Sequence, residues 1–83
     1  MKVLYFAWLK AKTGTGEEDI APPDGVATVG QLVEFLKARS PGHAAAFEAM
    51  SAVRVAVNQD FGNLDTPVKA GDEVAFFPPV TGG

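Results

Sequence analysis

Two glycines at the end of the sequence, Gly82 and Gly83, are the residues best placed to take part in chemistry. We expect Gly83 to be the C-terminal residue and therefore to carry a free α-carboxylate. Such a carboxylate has a pKa of about 3.3–3.7, so it is ionised and unreactive until it is activated, most simply by ATP as an acyl-adenylate. Attack by an amine would then give a conjugate, and attack by a sulfur nucleophile would give a thiocarboxylate. The residue pattern leaves both outcomes open.

The residues before these glycines are suited to presenting them to another protein. Pro78 and Pro79 follow a predicted strand and have no N–H to donate to a sheet ladder, so the strand must end there. Val80 and Thr81 then lead to a tip without side chains, and the residues after Phe77 can extend by roughly 20 Å. A stiff exit with a thin tip is the shape of an arm that enters a narrow channel.

The other candidate groups point away from an enzyme. The chain has no cysteine and one histidine, which leaves little for thiolate chemistry, a transition-metal centre or a histidine-based triad. The acidic runs Glu17–Asp19 and Asp72–Glu73 are expected to be solvated surface, and His43 is expected at the surface or at a helix start. Gly14 and Gly16 lack the third glycine of a dinucleotide fingerprint and are interpreted as a turn.

Composition limits the class of protein. With 83 residues, 47% of them hydrophobic, the chain is expected to form one small domain with a modest core. Its net charge of −3 argues against nucleic acid and anionic membranes as partners, and no apolar run approaches the roughly 20 residues of a membrane span. We therefore predict a cytoplasmic protein, built as a domain over residues 1–77 and an extended tail over residues 78–83.

Hydrophobic patterns predict the elements that must position the tail. Residues 2–9 are apolar on both faces of a strand, and a return strand is predicted over residues 17–21. Thr28 and Gln31 form a capping-box pattern at the start of an amphipathic helix over residues 28–39. The remaining predicted elements are a short helix over residues 43–50, strands over residues 52–57 and 73–77, a turn over residues 58–63 and a very short edge strand within residues 64–68.

This order of elements predicts an α+β domain. A hairpin, a crossover helix and further strands fit a mixed sheet of four to five strands with one main helix across one face, which is the β-grasp arrangement of ubiquitin-like proteins. Phe76 and Phe77 must point to opposite faces of the last strand. One is therefore expected in the core, and the other is a candidate contact for a partner protein; the sequence does not distinguish which.

Three segments carry a family resemblance. They are Val3–Ala7, Ala56–Gln59 and, most specifically, Gly71–Gly83, which ends in Phe-Phe-Pro-Pro-Val-Thr-Gly-Gly. Together they resemble the small subunits of molybdopterin synthase, and the likeness covers the whole chain in length and order of elements.

The resemblance implies the β-grasp fold and a sulfur carrier that is not an enzyme on its own. Gly83 would be adenylated with ATP by a ubiquitin-activating-type adenylyltransferase and then converted to a thiocarboxylate. The carrier would dock on the large synthase subunit, in a heterotetramer of two small and two large subunits, and deliver sulfur to cyclic pyranopterin monophosphate. No cofactor or metal would be bound by the carrier itself. The residues expected to lie in the partner's channel are Pro78, Pro79, Val80, Thr81 and Gly82.

Other functions use the same features of the sequence. A sulfur carrier for thiamine thiazole synthesis shares the fold and the terminal glycines, although such carriers tend to be shorter and to lack the Phe-Phe-Pro-Pro approach. A ubiquitin-like modifier would instead be joined to lysines of other proteins. In a plain interaction domain, deletion of Gly82 and Gly83 would have no effect.

Overall fold

The computed structural model describes residues 1–79, in which a mixed sheet of five strands packs against helices on one face. The strands are β1 (Lys2–Tyr5), β2 (Glu17–Asp19), β3 (Arg54–Val57), β4 (Asp60–Gly62) and β5 (Glu73–Phe77). The helices are α1 (Trp8–Thr13), α2 (Val29–Lys37) and α3 (Pro41–Ala46), followed by a 3-10 turn at Met50–Ala52.

The strand order in the sheet is β2-β1-β5-β3-β4. β1 and β5 are parallel neighbours, whereas the β1–β2, β3–β4 and β3–β5 pairs are antiparallel. The last strand of the chain therefore lies in the middle of the sheet, where it is fixed on both sides. This architecture confirms the predicted α+β fold with a mixed sheet and the antiparallel pairing of the first two strands, although these strands are joined through α1 and not by the predicted turn.

The main helix, α2, forms where the sequence predicted it. Thr28 is its N-cap: the Thr28 hydroxyl accepts from the Gln31 N–H, and the Gln31 side chain accepts from the Thr28 N–H. Both halves of the capping box are thus present, which satisfies N–H groups that the first turn would otherwise leave unpaired. The buried stripe of α2 consists of Val29, Leu32, Val33 and Leu36.

The hydrophobic core lies between the helices and one face of the sheet. Rings from both layers meet at its centre, where Tyr5 stacks on Phe76 at 6.3 Å between centroids and Phe47 meets Phe76 edge-on at 4.9 Å. Alternate residues of the three inner strands point into this core and are buried, as strand geometry requires. These residues are Val3, Tyr5, Val55, Val57, Val74 and Phe76.

The first strand is shorter than predicted. β1 ends at Tyr5, and α1 follows where the sequence predicted a strand to residue 9 and then a turn. Apolar residues on both faces of a short segment do not distinguish a strand from a buried helix. The chain turns at Ala7, whose φ of 54° and ψ of −131° are rare outside glycine, and Leu9 of α1 is then buried in the core.

The β3–β4 hairpin also differs from the prediction. Asn58 and Gln59, with φ of 51° and 72°, form a two-residue turn of the kind that suits twisted strands, and β4 follows at once within the predicted turn region. The edge strand predicted within residues 64–68 is wrong. The pairing found there is an isolated bridge between Thr28 and Pro67, since proline cannot continue a ladder.

The short helix α3 begins earlier than the predicted residue 43. Ser40 caps it by accepting from the His43 N–H at 3.1 Å, and Pro41 suits its first turn. α1 and α3 approach closely at Gly42, where an added Cβ would lie 2.3 Å from the Lys12 carbonyl oxygen. Glycine is therefore required at this helix crossing.

Two predictions about the whole chain remain predictions. Across residues 1–79, no helix is long and apolar enough to cross a bilayer, but the cytoplasmic location itself is untested. The division into a domain over residues 1–77 and a tail over residues 78–83 is likewise untested, because most of that tail lies beyond the described residues.

Candidate functional site

The tail leaves the sheet from its middle strand. Phe77 ends β5, Pro78 follows half-buried and Pro79 is exposed. Neither proline can extend the ladder, so the chain is free to leave the sheet at this point. The predicted tail residues that lie outside the described part of the chain are Val80, Thr81, Gly82 and Gly83. The roles predicted for the tail, including those of both prolines, stay predictions.

The two phenylalanines of β5 face opposite ways, as the alternation of a strand predicts. Phe76 is 0% exposed and packs against Tyr5 and Phe47. It is a core residue, so its inclusion among the candidate partner contacts is corrected. Phe77 lies on the other face and is partly exposed, which leaves it as the candidate contact beside the tail.

Phe77 belongs to an apolar patch on the sheet face opposite the helices. The ring of Phe61 is 84% exposed, and its centroid lies 6.0 Å from that of Phe77. Phe6, just beyond β1, is 48% exposed and donates its N–H to the Phe76 carbonyl at 3.1 Å. The strand register sets three further residues in one row with Phe61: Ala56, Ala75 and Leu4. We call the patch the open face; it consists of Leu4, Phe6, Ala56, Phe61, Ala75 and Phe77.

The open face has the properties of a contact surface. Contiguous apolar surface is costly to leave in water, and a phenylalanine as exposed as Phe61 is stabilised little by burial within the chain itself. The patch runs directly to the tail exit, because Phe77 immediately precedes Pro78. A partner bound to the open face would therefore also lie beside the point at which the chain leaves the sheet, at Pro78.

Most of the open face was missed by sequence reasoning. Phe61 falls in a segment predicted to be a turn, and Phe6 was placed in the middle of a longer strand. The available signal was the Asn58-Gln59 pair, since a two-residue hairpin turn at these positions would have set Phe61 opposite Ala56.

Charged side chains border the open face. At the end far from the tail, Lys2 pairs with Glu17 at 3.7 Å and lies beside Glu73 in register. At the tail end, the register places the exposed Arg54 beside Phe77. The apolar patch is thus bordered by the ion pair of Lys2 and Glu17 at one end and by the positive charge of Arg54 at the other.

A separate polar cluster lies where Glu18 of β2 meets His43 of α3. The Tyr5 hydroxyl donates to Glu18 Oε2 at 2.8 Å, and His43 Nε2 lies 2.7 Å from the same oxygen. Arg39 donates to Glu18 Oε1 at 3.2 Å. Glu18 is therefore not the solvated side chain that was predicted. His43 does lie in the first turn of α3, but at 6% exposure it is buried rather than at the surface.

The order of groups in this cluster is that of a serine–histidine–carboxylate relay, because His43 Nδ1 lies 2.7 Å from Ser40 Oγ. However, Ser40 Oγ also accepts the His43 N–H as the cap of α3, so it is engaged in the fold rather than free to attack a substrate. We assign the cluster a structural role, in which it ties β2 to α3. Within residues 1–79, no three potential metal-binding side chains come together.

The cluster shifts the pKa values of its members. Burial by itself would raise the pKa of Glu18, but hydrogen bonds from His43 and Tyr5 and the charge of Arg39 outweigh it and hold that pKa below its ordinary value. Burial raises the pKa of the Tyr5 hydroxyl, and its hydrogen bond to Glu18 raises it further. At neutral pH the Tyr5 hydroxyl therefore remains the donor and the Glu18 carboxylate the acceptor.

Asp72 is a buried carboxylate and corrects the prediction of a solvated acidic turn. It is 7% exposed and accepts from the Asn58 side-chain amide at 3.1 Å and from the Lys69 N–H at 2.9 Å. The hydrogen bond from Asn58, followed by that from Lys69, lowers the pKa of Asp72. This carboxylate fixes the turn that leads into β5 and so toward the tail.

We expect the free energy of unfolding to fall as the pH drops below about 4.5. Glu18 and Asp72 both have a folded-state pKa below the unfolded value, so each stabilises the fold above its unfolded pKa and loses that contribution as the pH falls through the folded one. Chemical denaturation from about pH 7 to about pH 3 measures this. The double variant Glu18→Gln, Asp72→Asn should be less stable at neutral pH and less sensitive to acid, whereas the exposed control Glu34→Gln should keep the original slope. Equal slopes for all three proteins would contradict the assignment.

The chain is similar to known proteins over its whole length. The model of the ThiS family matches residues 3–83. The molybdopterin synthase sulfur carrier subunit of Escherichia coli is 42% identical over 83 residues, covering 100% of this chain and 99% of that protein. The crystal structure of SAMP1 from Haloferax volcanii has a TM-score of 0.77 and 32% identity, covering 100% of this chain and 98% of that one. A chain in the complex of subunits 1 and 2 of molybdopterin-converting factor from Helicobacter pylori has a TM-score of 0.63 and 25% identity, covering 99% and 96%.

Proposed function

We propose that this chain, which belongs to the ThiS family, is the sulfur carrier of molybdenum cofactor biosynthesis. The observation that carries the proposal is the 42% identity, over the entire chain, to a molybdopterin synthase sulfur carrier subunit. The geometry supports it, because two prolines follow the middle strand of the sheet, beside an apolar face that is exposed within residues 1–79.

The proposed chemistry takes place on the α-carboxylate of Gly83. A ubiquitin-activating-type adenylyltransferase joins this carboxylate to AMP from ATP and releases pyrophosphate. Hydrosulfide displaces AMP from the adenylate and leaves a thiocarboxylate. The sulfur then passes to cyclic pyranopterin monophosphate, and water supplies the oxygen that restores the Gly83 carboxylate. Because a dithiolene contains two sulfur atoms, each product consumes two charged carriers.

In this proposal the chain supplies no catalytic side chain, and the active site belongs to the large synthase subunit. The open face binds the outside of that subunit while the tail occupies its channel. The prolines 78 and 79 stiffen the exit, residues 80–82 lie along the channel, and the missing side chain at Gly82 keeps the tip thin. The likeness to a chain from a complex of two molybdopterin-converting factor subunits supports a large-subunit partner. Two carriers and two large subunits form the complete enzyme.

The test is the intact mass of the chain after incubation with ATP, the activating enzyme and a sulfur source. We expect a gain equal to the exchange of one oxygen for one sulfur, located on the C-terminal residue. A matched chain lacking Gly82 and Gly83 should show no gain. Sulfur should then pass to cyclic pyranopterin monophosphate in the presence of the large subunit; transfer to a thiamine thiazole precursor instead would favour the thiamine pathway. No mass change in the unaltered chain would contradict the proposal.

A ubiquitin-like modifier is the second candidate, and the TM-score of 0.77 to SAMP1, a small archaeal modifier protein, favours it. This function uses the same adenylate but ends in an amide bond to a lysine of another protein. It predicts high-mass conjugates in cells that disappear when Gly83 is deleted. If no such conjugates form and the chain supports molybdopterin synthesis, the sulfur carrier remains as the function.

A further inference from the structure

We propose that Arg54 and the notch beside it form an anchor site that selects the partner of the open face. The notch takes one apolar side chain of the large subunit, and Arg54 pairs with a carboxylate next to that side chain. The inference rests on the proposed function, since the partner is the subunit that receives the tail.

The notch lies between the two rings at the tail end of the open face. It has a volume of about 260 Å³ and is lined by Phe61, Phe77, Val55, Gly62 and Arg54. Pockets for metabolites usually measure about 300–1,000 Å³, so this one suits a single side chain better than a small molecule. Its aromatic walls belong to the apolar patch, which makes it the natural position for a buried anchor.

Arg54 is held in place at the rim of the notch. Its Nη1 donates to the carbonyl oxygens of Ser51 at 3.0 Å and Val53 at 3.3 Å. Arg39, by comparison, is paired with Glu18, whereas within residues 1–79 no carboxylate lies in ion-pair range of Arg54. A guanidinium that is positioned by the backbone and that pairs with no carboxylate among residues 1–79 is suited to bind one from a partner.

Because the chain as a whole is negatively charged, the positive charge of Arg54 can contribute to the choice of partner. The net charge is −3, so general attraction would favour a basic partner. A partner carboxylate opposite Arg54 is attracted at this one point, although the net charge of the chain repels acidic groups. The Arg54 pair therefore distinguishes the correct partner from other proteins. An apolar residue adjacent to Asp or Glu satisfies both features, while a basic residue at the same place would be repelled.

The experiment measures binding of the full chain to its own large subunit by isothermal titration calorimetry. Arg54→Glu should weaken binding by about 30-fold. The control Lys37→Glu makes the same change in net charge on α2, away from the open face, and should stay within about 2-fold of the unaltered chain. Arg54→Gln removes the charge without reversing it and should fall between them. Thermal unfolding of each variant verifies that the fold is intact.

A double-mutant cycle links the cation to the notch. Phe61→Ser combined with Arg54→Glu should cost less than the sum of the two single losses, because both changes disrupt the same anchor. Phe61→Ser combined with Lys37→Glu should be additive. Equal binding by the unaltered chain, Arg54→Gln and Arg54→Glu would overturn the inference and leave the proposed function standing. Failure of the unaltered chain to bind the large subunit would overturn both.

Discussion

A chain with one additional glycine after Gly83 is expected to fold normally and to lose sulfur transfer by at least about 100-fold. The extra residue moves the reactive carboxylate by about 3.5 Å along an extended tail. Catalytic groups in the activating enzyme and in the synthase are fixed, and a displacement of about 1 Å can already cost about 100-fold in rate. Since glycine adds no side chain, the loss would arise from the position of the carboxylate rather than from steric bulk.

Formation of molybdopterin from cyclic pyranopterin monophosphate measures this loss, with the large subunit, the activating enzyme, ATP and a sulfur source present. The midpoint of thermal unfolding should not change, because the addition lies beyond β5 and the core. The unaltered chain assayed in parallel should show full transfer, so the comparison isolates the effect of the single added residue. Full activity of the extended chain would show that the terminal carboxylate of residue 83 is not the group that carries sulfur.

The parts of the fold that could be predicted are those encoded by neighbouring residues. The capping box joins Thr28 to Gln31, three positions apart, and the buried stripe of α2 repeats within one short segment. The opposite facing of Phe76 and Phe77 follows from strand alternation alone. Such local patterns survive folding because tertiary contacts reinforce rather than override them.

The parts that were missed depend on contacts between distant residues. Glu18 and His43 are separated by 25 positions, and neither sequence neighbourhood indicates that α3 buries one against the other. The sequence around Asp72 is that of an exposed acidic turn, and the hydrogen bond from the distant Asn58 side chain is visible only in the folded chain. The apolar run that ends in Trp8 and Leu9 is compatible with a strand and with a helix. In the folded chain these two residues begin α1, and Leu9 packs into the core.

The candidate site shows the same division. The tail was predicted from residue types at one end of the chain, where glycine and proline have distinct backbone properties. The open face, by contrast, is assembled from four strands whose order only the sheet reveals. Its most exposed ring, Phe61, belongs to the open face because the strand register sets it beside Ala56 and near Phe77. Local residue types were therefore enough to predict a reactive tail, which stays a prediction, whereas the docking surface became visible only in the folded sheet.

Gly42→Ala is expected to destabilise the fold by about 2–3 kcal/mol, which lowers the midpoint of thermal unfolding by about 10–20 °C in a domain of this size. The new Cβ would lie 2.3 Å from the carbonyl oxygen of Lys12, and this oxygen belongs to the backbone and cannot rotate away. α1 and α3 must then separate. The sign of the effect is diagnostic, because alanine is otherwise better than glycine in a helix by about 1 kcal/mol.

Gly16→Ala is the matched control for this substitution. The Cβ at that position would meet the Cε of Lys10 at 3.4 Å, and the end of a flexible side chain can move. Its unfolding midpoint should therefore remain close to that of the unaltered chain. Gly42→Ala should also loosen the contact between Glu18 and the adjacent His43, so its stability should depend less on acid pH than that of the parent. Because neither Gly42 nor Lys12 belongs to β5 or to the predicted tail, the variant should still accept sulfur at temperatures where it is folded. A Gly42→Ala chain as stable as its parent would show that α1 and α3 do not pack this closely.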